Sequence, residues 1–292
     1  MKKFIYKNII FLLSLILFFG IQATINYFIY SNHRDNIKTN VLILGDSHPQ
    51  KSVNPKLFNN SLNISQYAEP YILTFWKLKN ILKNSKIDTV MIGFAHHNIS
   101  AFNDLKFQDK GWSTEMFKRI YPIQEFKTIT SVEIDYLEFY KILWKQICLF
   151  PKLNHTNYIG NYSNSNYSNI SNAQSAVHNH YYYEGKEIGV SKIAISYLDS
   201  LINICTIRGV KPILISNPVH KTYYKKIPSI NISAFEELKT ELISKGVMVI
   251  DKTKENYPDS LFLDVNHLNE SGANRFTKEI KEIFTSRSSE SR

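Results

Sequence analysis

The chain begins with its longest apolar stretch. Three lysines within the first seven residues precede an uncharged run from Asn8 to Tyr30. About 22 apolar residues in a helix suffice to cross a hydrocarbon layer of roughly 30 Å. A cleavable signal peptide would end at small residues in an Ala-x-Ala-like pattern, whereas apolar residues here continue through Ile29. We therefore predict an uncleaved transmembrane anchor over 9–30, with a cleaved signal peptide as the alternative.

Downstream, short apolar runs alternate with segments in which apolar residues recur at helical spacing. The first run stops at Gly45 and is apolar throughout, as in a strand buried on both faces. Alternating units of this length are typical of a parallel sheet covered by helices on both faces. We predict an α/β fold with three αβα layers, a flavodoxin-like doubly wound parallel sheet of about five strands. The predicted strands are 41–44, 62–64, 88–93, 212–216 and 247–250, and the clearest helices cover 71–82, 194–205, 235–242 and 273–284.

Composition divides the chain further. Residues 154–183 are polar, rich in Tyr and Asn, and without a period. Long loops of this kind in compact domains often bind ligands, so we interpret the surrounding segment as a helical and loop insertion over a site, with a surface loop as the alternative. The predicted organisation is a cytoplasmic N-terminus at 1–8, the anchor at 9–30, a linker at 31–40, one domain at 41–286 with its insertion at 99–190, and a tail at 287–292.

Charge and cysteine content exclude several classes of protein. The formal net charge is +10, but the basic residues are scattered, so we expect no nucleic-acid partner. Cys148 and Cys205 lie far apart in apolar helical patterns, which favours two buried thiols over one disulfide. His178 and His180 have no carboxylate or thiol partners at ligand spacing, so we predict no metal site.

Two segments carry residues suited to nucleophilic chemistry. Ser47 follows the first predicted strand, at the sheet edge where doubly wound folds bind ligands. A serine hydroxyl needs a histidine to accept its proton and a carboxylate to orient that histidine. Asp264 and His267, three residues apart, follow the fifth strand and precede the last helix, so the same edge should hold all three side chains. We predict a catalytic group of Ser47, His267 and Asp264.

Gly45-Asp46-Ser47 after a buried strand, with Asp264-x-x-His267 before the final helix, is similar to the SGNH (GDSL-like) hydrolase family. The resemblance spans roughly residues 40–285. It implies an oxyanion hole formed by the serine N–H, a glycine N–H and an asparagine side chain. Ala68 stands where that glycine is usual, and Asn98 is our choice for the asparagine, with His96 or His97 as a rival.

Four histidines are candidates for binding substrate: His48, His96, His97 and His220. For a single loop histidine, exposure to solvent without a function is the more common outcome. His48 follows the nucleophile directly, so we expect it to line the pocket and not to act as a second base. The resemblance implies no cofactor.

The function implied is serine-dependent acyl chemistry without a cofactor. Members of this family with a single membrane tether resemble enzymes that add or remove acetyl groups on cell-envelope or exported polysaccharide. An acylated carbohydrate is therefore the expected substrate, and both hydrolysis and acyl transfer stay open. A bacterial inner membrane with the domain on the extracytoplasmic side is the expected location. The alternatives are a membrane-tethered lipase or lysophospholipase, and a non-catalytic domain that binds glycan or a protein partner.

Overall fold

A computed structural model describes residues 1–35, 37–120, 132–145, 159–170 and 173–290. Its first element, α1 (Lys2–Asp35), is a single helix whose apolar side chains are largely exposed. The segment Lys2–Ile29, in which a window of 18 residues has a mean hydropathy of 2.2, is the one helix of the described ranges that is long and apolar enough to cross a membrane. This helix fits a single-pass membrane anchor. It continues to Asp35, five residues into the predicted linker.

A five-stranded parallel sheet forms the centre of the domain. Its order is β2-β1-β3-β6-β7, the flavodoxin-like order, with β1 at the point where the strand order reverses. A separate antiparallel hairpin is made of β4 and β5. The strands are β1 (Val41–Leu44), β2 (Ser61–Asn63), β3 (Thr89–Gly93), β4 (Tyr182–Tyr183), β5 (Lys186–Glu187), β6 (Lys211–Ser216) and β7 (Met248–Asp251).

Helices cover both faces of this sheet. The helices of the domain after α1 are α2 (Ser47–Ser52), α3 (Tyr71–Ile81), α4 (Phe102–Leu105), α5 (Ser113–Ile120), α6 (Tyr136–Trp144), α7 (Ala173–Tyr181), α8 (Lys192–Ile207), α9 (Lys221–Tyr224), α10 (Ser229–Ser244) and α11 (Glu270–Glu290). Short 3₁₀ helices lie at Pro55–Leu57, His96–Ile99 and Asp259–Leu261.

Alternate strand residues fill two cores. One face of β1 packs with α3, α8 and α10, and the other packs with Phe276 and Ile280 of α11. Because successive side chains of a strand point to opposite faces, the central strands must be apolar throughout. Val41–Leu44 is buried at all four positions, as that requirement dictates. The predicted three-layer fold is confirmed, and each of the five strands lies within one residue of its predicted bounds.

The predicted insertion contains more regular structure than its sequence indicates. Within the aperiodic stretch 154–183, α7 and β4 are regular elements. Val177 and Tyr181, four residues apart, are the buried side chains of α7, which is too short a pattern to mark a helix in the sequence. Cys205 is free and buried, and Cys148 lies outside the described residues.

Candidate active site

Ser47 is presented at the carboxyl end of the central strand. Gly45 turns the chain after β1 at a φ of +134°, and a Cβ there would lie 2.8 Å from the ring of Pro49. Asp46 then caps α2, because its carboxylate accepts the N–H of His48 at 2.9 Å. Ser47 is the first residue of α2, and an N–H in that position has no acceptor within its own helix. Hydroxyl and N–H therefore lie together at a helix start.

His267 reaches this serine from a position 220 residues later. Its Nε2 lies 2.8 Å from Ser47 Oγ, and its Nδ1 lies 2.9 Å from Asp264 Oδ2. Asp264 Oδ1 also accepts the backbone N–H groups of Asn266 and His267 at 3.0 and 2.9 Å. Burial acts to raise the pKa of Asp264, but the hydrogen bond and charge of His267 outweigh it and lower the pKa to about 2. The carboxylate is thus ionised and fixed where it can orient the imidazole.

A second carboxylate lies behind the serine. Asp46 Oδ2 is 2.5 Å from His97 Nε2 and accepts the side-chain N–H of Asn98 at 2.8 Å. Burial acts to raise the pKa of Asp46, while His97 and His48 hold that pKa far below its usual range. All of these contacts are buried, so Asp46 links the start of α2 to the loop that follows β3.

The loop after β2 faces Ser47 across the site and carries a left-handed residue. Ala68 has a φ of +56°, a conformation that glycine adopts far more readily than alanine. Two cations hold its flanking carbonyl groups: Arg119 donates to Tyr67 O, and Lys106 Nζ donates to Ala68 O at 3.0 Å. Burial lowers the pKa of Lys106 to about 8. These contacts fix the peptide planes on both sides of Ala68.

A buried ion pair lies beneath the same loop. Lys77 Nζ is 2.6 Å from Glu69 Oε2, and both side chains are only 1% exposed. The ammonium also donates to Ile64 O and Ile159 O at 2.8 and 2.9 Å. Glu69 therefore ties the Ala68 loop to the end of β2 and to the segment that begins at 159.

Ser47, His267 and Ala68 line a common cavity of about 310 Å³. Its aromatic wall contains Tyr67 and Trp112, whose rings stack at 6.0 Å with an interplanar angle of 25°, and Phe102 packs edge-on against Trp112. Lys106 Nζ lies 5.8 Å from the centre of the Trp112 ring. Within the described ranges the lining consists of Asp46, Ser47, Lys51, Tyr67, Ala68, His97, Phe102, Lys106, Trp112, Ala176, Asn179, His180, Leu263, Asp264, Asn266 and His267.

The cavity separates the candidate site residues into two groups. Ser47, Asp264, His267, Ala68 and His97 line it, and their chemical roles stay predictions. Three of the predicted substrate-binding histidines, and the predicted oxyanion donor Asn98, do not. The Asn98 amide is used in buried contacts, since Oδ1 accepts Ala95 N and Nδ2 donates to Asp46.

The three histidines outside the cavity each have a structural environment. His48 lies behind Ser47, with its ring 4.2 Å from that of His97 and 5.2 Å from that of His267. His96 stacks on Phe235 at 4.1 Å in the core, and burial lowers its pKa to about 4. His220 caps α9 and lines a separate cavity of about 140 Å³ with Asp259. Contact of these three histidines with substrate stays a prediction.

Several cavity residues had no signal in the sequence. Lys106 and Trp112 come from the predicted insertion, in a stretch with no motif. The sequence marks His180 only as a metal-ligand candidate, yet its ring stacks on that of His97 at 4.6 Å. No cluster of metal-ligating side chains occurs among the residues that the structure describes.

Residues 161–285 match the sequence model of the DltD protein family. The match covers less than half of the chain and includes Asp264, His267 and the last two strands of the sheet. This match agrees with three features of the structure, namely the strand order, the serine at the end of β1 and the contact of that serine with His267. The chain has an SGNH-like hydrolase fold. This fold and the family match support an acyl-handling function of the SGNH type and leave the substrate unspecified.

Two of the solved structures with some similarity to this chain come from Bacteroides species. A candidate acylhydrolase from Bacteroides fragilis is 10% identical, covers 88% of this chain and 95% of its own, and has a TM-score of 0.47. A GDSL-like lipase from Bacteroides thetaiotaomicron is 10% identical, with coverage of 90% and 98% and a TM-score of 0.44. No curated protein matches this chain in sequence.

Proposed function

We propose that this chain is a serine esterase or O-acyltransferase of the SGNH type that acts on acyl esters of cell-envelope or exported polysaccharide, with acetyl as the expected acyl group. The observation that carries the proposal is the 2.8 Å contact between Ser47 Oγ and His267 Nε2, with Asp264 at the other ring nitrogen. A hydroxyl, an imidazole and an ionised carboxylate, hydrogen-bonded in this order, form the triad used in serine-dependent acyl transfer.

In the proposed mechanism, Ser47 Oγ attacks the ester carbonyl carbon while His267 Nε2 accepts the hydroxyl proton. Asp264 accepts the hydrogen bond from Nδ1–H and stabilises the imidazolium that forms. When the tetrahedral intermediate collapses, the ester C–O bond breaks and His267 returns the proton to the leaving alcohol. Water or a sugar hydroxyl then attacks the acyl-serine, with His267 again accepting and returning the proton.

The negative charge on the carbonyl oxygen needs hydrogen-bond donors, and losing one such donor costs on the order of 10²–10³ in rate. We assign this role to the N–H groups of Ser47 and Ala68, which flank the cavity. We assign Asn98 to positioning Asp46, because its amide is already bonded there. His97 lines the cavity, but its Nε2 is bonded to Asp46 as well, so we assign no third donor.

The chemistry of the cavity wall favours a carbohydrate over a lipid chain. Stacked Tyr67 and Trp112 offer flat apolar faces beside polar groups, which suits the amphipathic face of a sugar ring. Asn179 and Asn266 add amide donors and acceptors. Among the described residues of the lining Leu263 is the one large aliphatic side chain, whereas a lipase needs a continuous apolar wall for its acyl chain.

The proposed location is a bacterial inner membrane, with the domain on the extracytoplasmic side. The three lysines that precede the apolar run support this orientation, since lysines and arginines favour the cytoplasmic side.

The test is hydrolysis of an aryl acetate by the detergent-solubilised full chain. Ser47→Ala should lower kcat/KM by on the order of 10⁴-fold or more. Ser196→Ala, on the exposed side of α8, serves as the matched control and should keep full activity. Full activity in Ser47→Ala would remove Ser47 from the mechanism.

Substrate class is tested with the same preparation. Release of acetate from an acetylated polysaccharide should exceed release of fatty acid from a lysophospholipid, and added sugar acceptor separates transfer from hydrolysis. A wild-type chain that neither turns over any ester nor reacts with a serine-directed phosphonate would leave a non-catalytic binding domain as the explanation.

A further inference from the structure

Helix α6, in the insertion, has two apolar faces, and the protein covers one of them. Phe139 and Ile142 are buried, at 1% and 5% exposure. Leu137, Tyr140 and Trp144 are 80%, 50% and 53% exposed. At 100° per residue these three side chains fall within an arc of about 60°. Such a concentration of exposed apolar side chains on one face marks an interaction surface in most proteins.

This exposed face continues into the membrane anchor. The ring of Trp144 lies 4.7 Å from that of Phe19 in α1. Phe19 belongs to the apolar run of α1. The outer face of α6 therefore meets the exposed surface of the anchor helix.

The composition of α6 is that of a helix at a membrane surface. Tyrosine and tryptophan are the residues enriched at the boundary between hydrocarbon and water. Lys141 flanks the exposed face, 3.0 Å from Glu138, and its ammonium can extend to the lipid headgroups. A polar edge beside an aromatic and aliphatic face is typical of helices that lie in the interface plane.

We infer that α6 lies on the lipid bilayer and inserts Leu137, Tyr140 and Trp144, which makes it a second membrane contact beside the anchor. The bilayer is the occupant of this face because the face is continuous with α1, whose own surroundings are lipid.

The contact would fix how the candidate site faces the membrane. Phe139 packs against Phe117 of α5 at 5.3 Å, and Thr114 donates to Glu138 at 2.9 Å. α5 begins directly after Trp112, which lines the cavity. With α1 alone the domain is free to swing on its tether, whereas α1 and α6 together set the height and orientation of the cavity above the bilayer.

The test places an environment-sensitive fluorophore on Leu137→Cys in the full chain, with Cys148→Ser as background, reconstituted in phosphatidylcholine vesicles. Ser196→Cys is the matched control. At 137 the probe should be quenched severalfold more by doxyl-labelled lipid than at 196, and severalfold less by aqueous iodide. Equal iodide access at both positions would overturn the inference.

Protection from iodide without quenching by doxyl lipid would also overturn it, because a protein partner or a second copy would then cover α6. A measurement without labelling adds to this. Brominated lipid should quench the emission of the unaltered chain more than that of Trp144→Phe. Neither readout depends on catalysis, so their failure is distinct from failure of the proposed function.

Discussion

Removing the buried ammonium of Lys77 should destabilise the domain more than any single change at its surface. Burial lowers the pKa of Lys77 and raises the pKa of Glu69, while the attraction between the two groups acts against both shifts. In Lys77→Met the Glu69 carboxyl keeps its bond from Thr74 but loses its countercharge, and two carbonyl groups lose a donor. Breaking a buried pair from one side costs about 3–5 kcal/mol.

For a domain of this size, each kcal/mol shifts the unfolding temperature by about 2–4 °C. Lys77→Met should therefore lower Tm by about 6–20 °C, measured by circular dichroism on the detergent-solubilised chain. The double variant Lys77→Met/Glu69→Leu should recover a large part of the loss, because apolar replacement of both partners removes the uncompensated charge. A shift below about 2 °C in the single variant would refute this reasoning.

The loss in Lys77→Met should also depend on pH. Without the ammonium, burial raises the pKa of Glu69 above that of the unfolded chain, so the folded state binds more protons in that window. Stability then falls as pH rises through the window, and the deficit should be smaller near about pH 5 than near about pH 8. Lys77→Met/Glu69→Gln, which has no carboxyl to titrate at this position, is the control and should show no such dependence.

Three further changes test the site itself. Asp264→Asn should lower kcat on the order of 10⁴-fold, because the imidazole loses the partner that orients it; a kcat within tenfold of wild type would contradict its role. Ala68→Gly should keep activity and raise stability by up to about 1 kcal/mol in urea unfolding, since it relieves the left-handed alanine, and lost activity would count against the backbone account. Lys106 Nζ holds the carbonyl group of Ala68 and its pKa is lowered to about 8, so kcat should fall as pH rises through about 8. Lys106→Met should lack that fall and should have a lower kcat at neutral pH. An identical pH profile in the variant would exclude a role for the ammonium.

The sheet could be predicted because its burial leaves a direct trace in the sequence. Val41–Leu44 and Thr89–Gly93 are buried on both faces, so each is an apolar run with a clear end. By contrast, α7 buries only Val177 and Tyr181, and six of its nine residues have modest helix propensity. Its helical conformation comes from packing against the C-terminal half of the domain, which no local pattern records.

The part of the candidate site that follows strand ends could be predicted from the sequence. The sequence predicts that Ser47 and His267 lie close together, because the carboxyl ends of parallel strands share one edge of the sheet. The difference between His97 and Asn98 could not be predicted, since both bond to Asp46 and only the path of the loop decides that His97 lines the cavity. Lys106 reaches the cavity through the path of the insertion, which depends on tertiary contacts alone.

Trapping the acyl-enzyme tests the central claim most directly. The full chain is mixed with an aryl acetate, quenched in acid within the first turnover and digested for mass spectrometry. We predict one acetyl group on Ser47, formed in the wild-type chain, slowed in His267→Gln and absent from Ser47→Ala. Acetylation at another residue, or turnover by Ser47→Ala at the wild-type rate, would contradict the account.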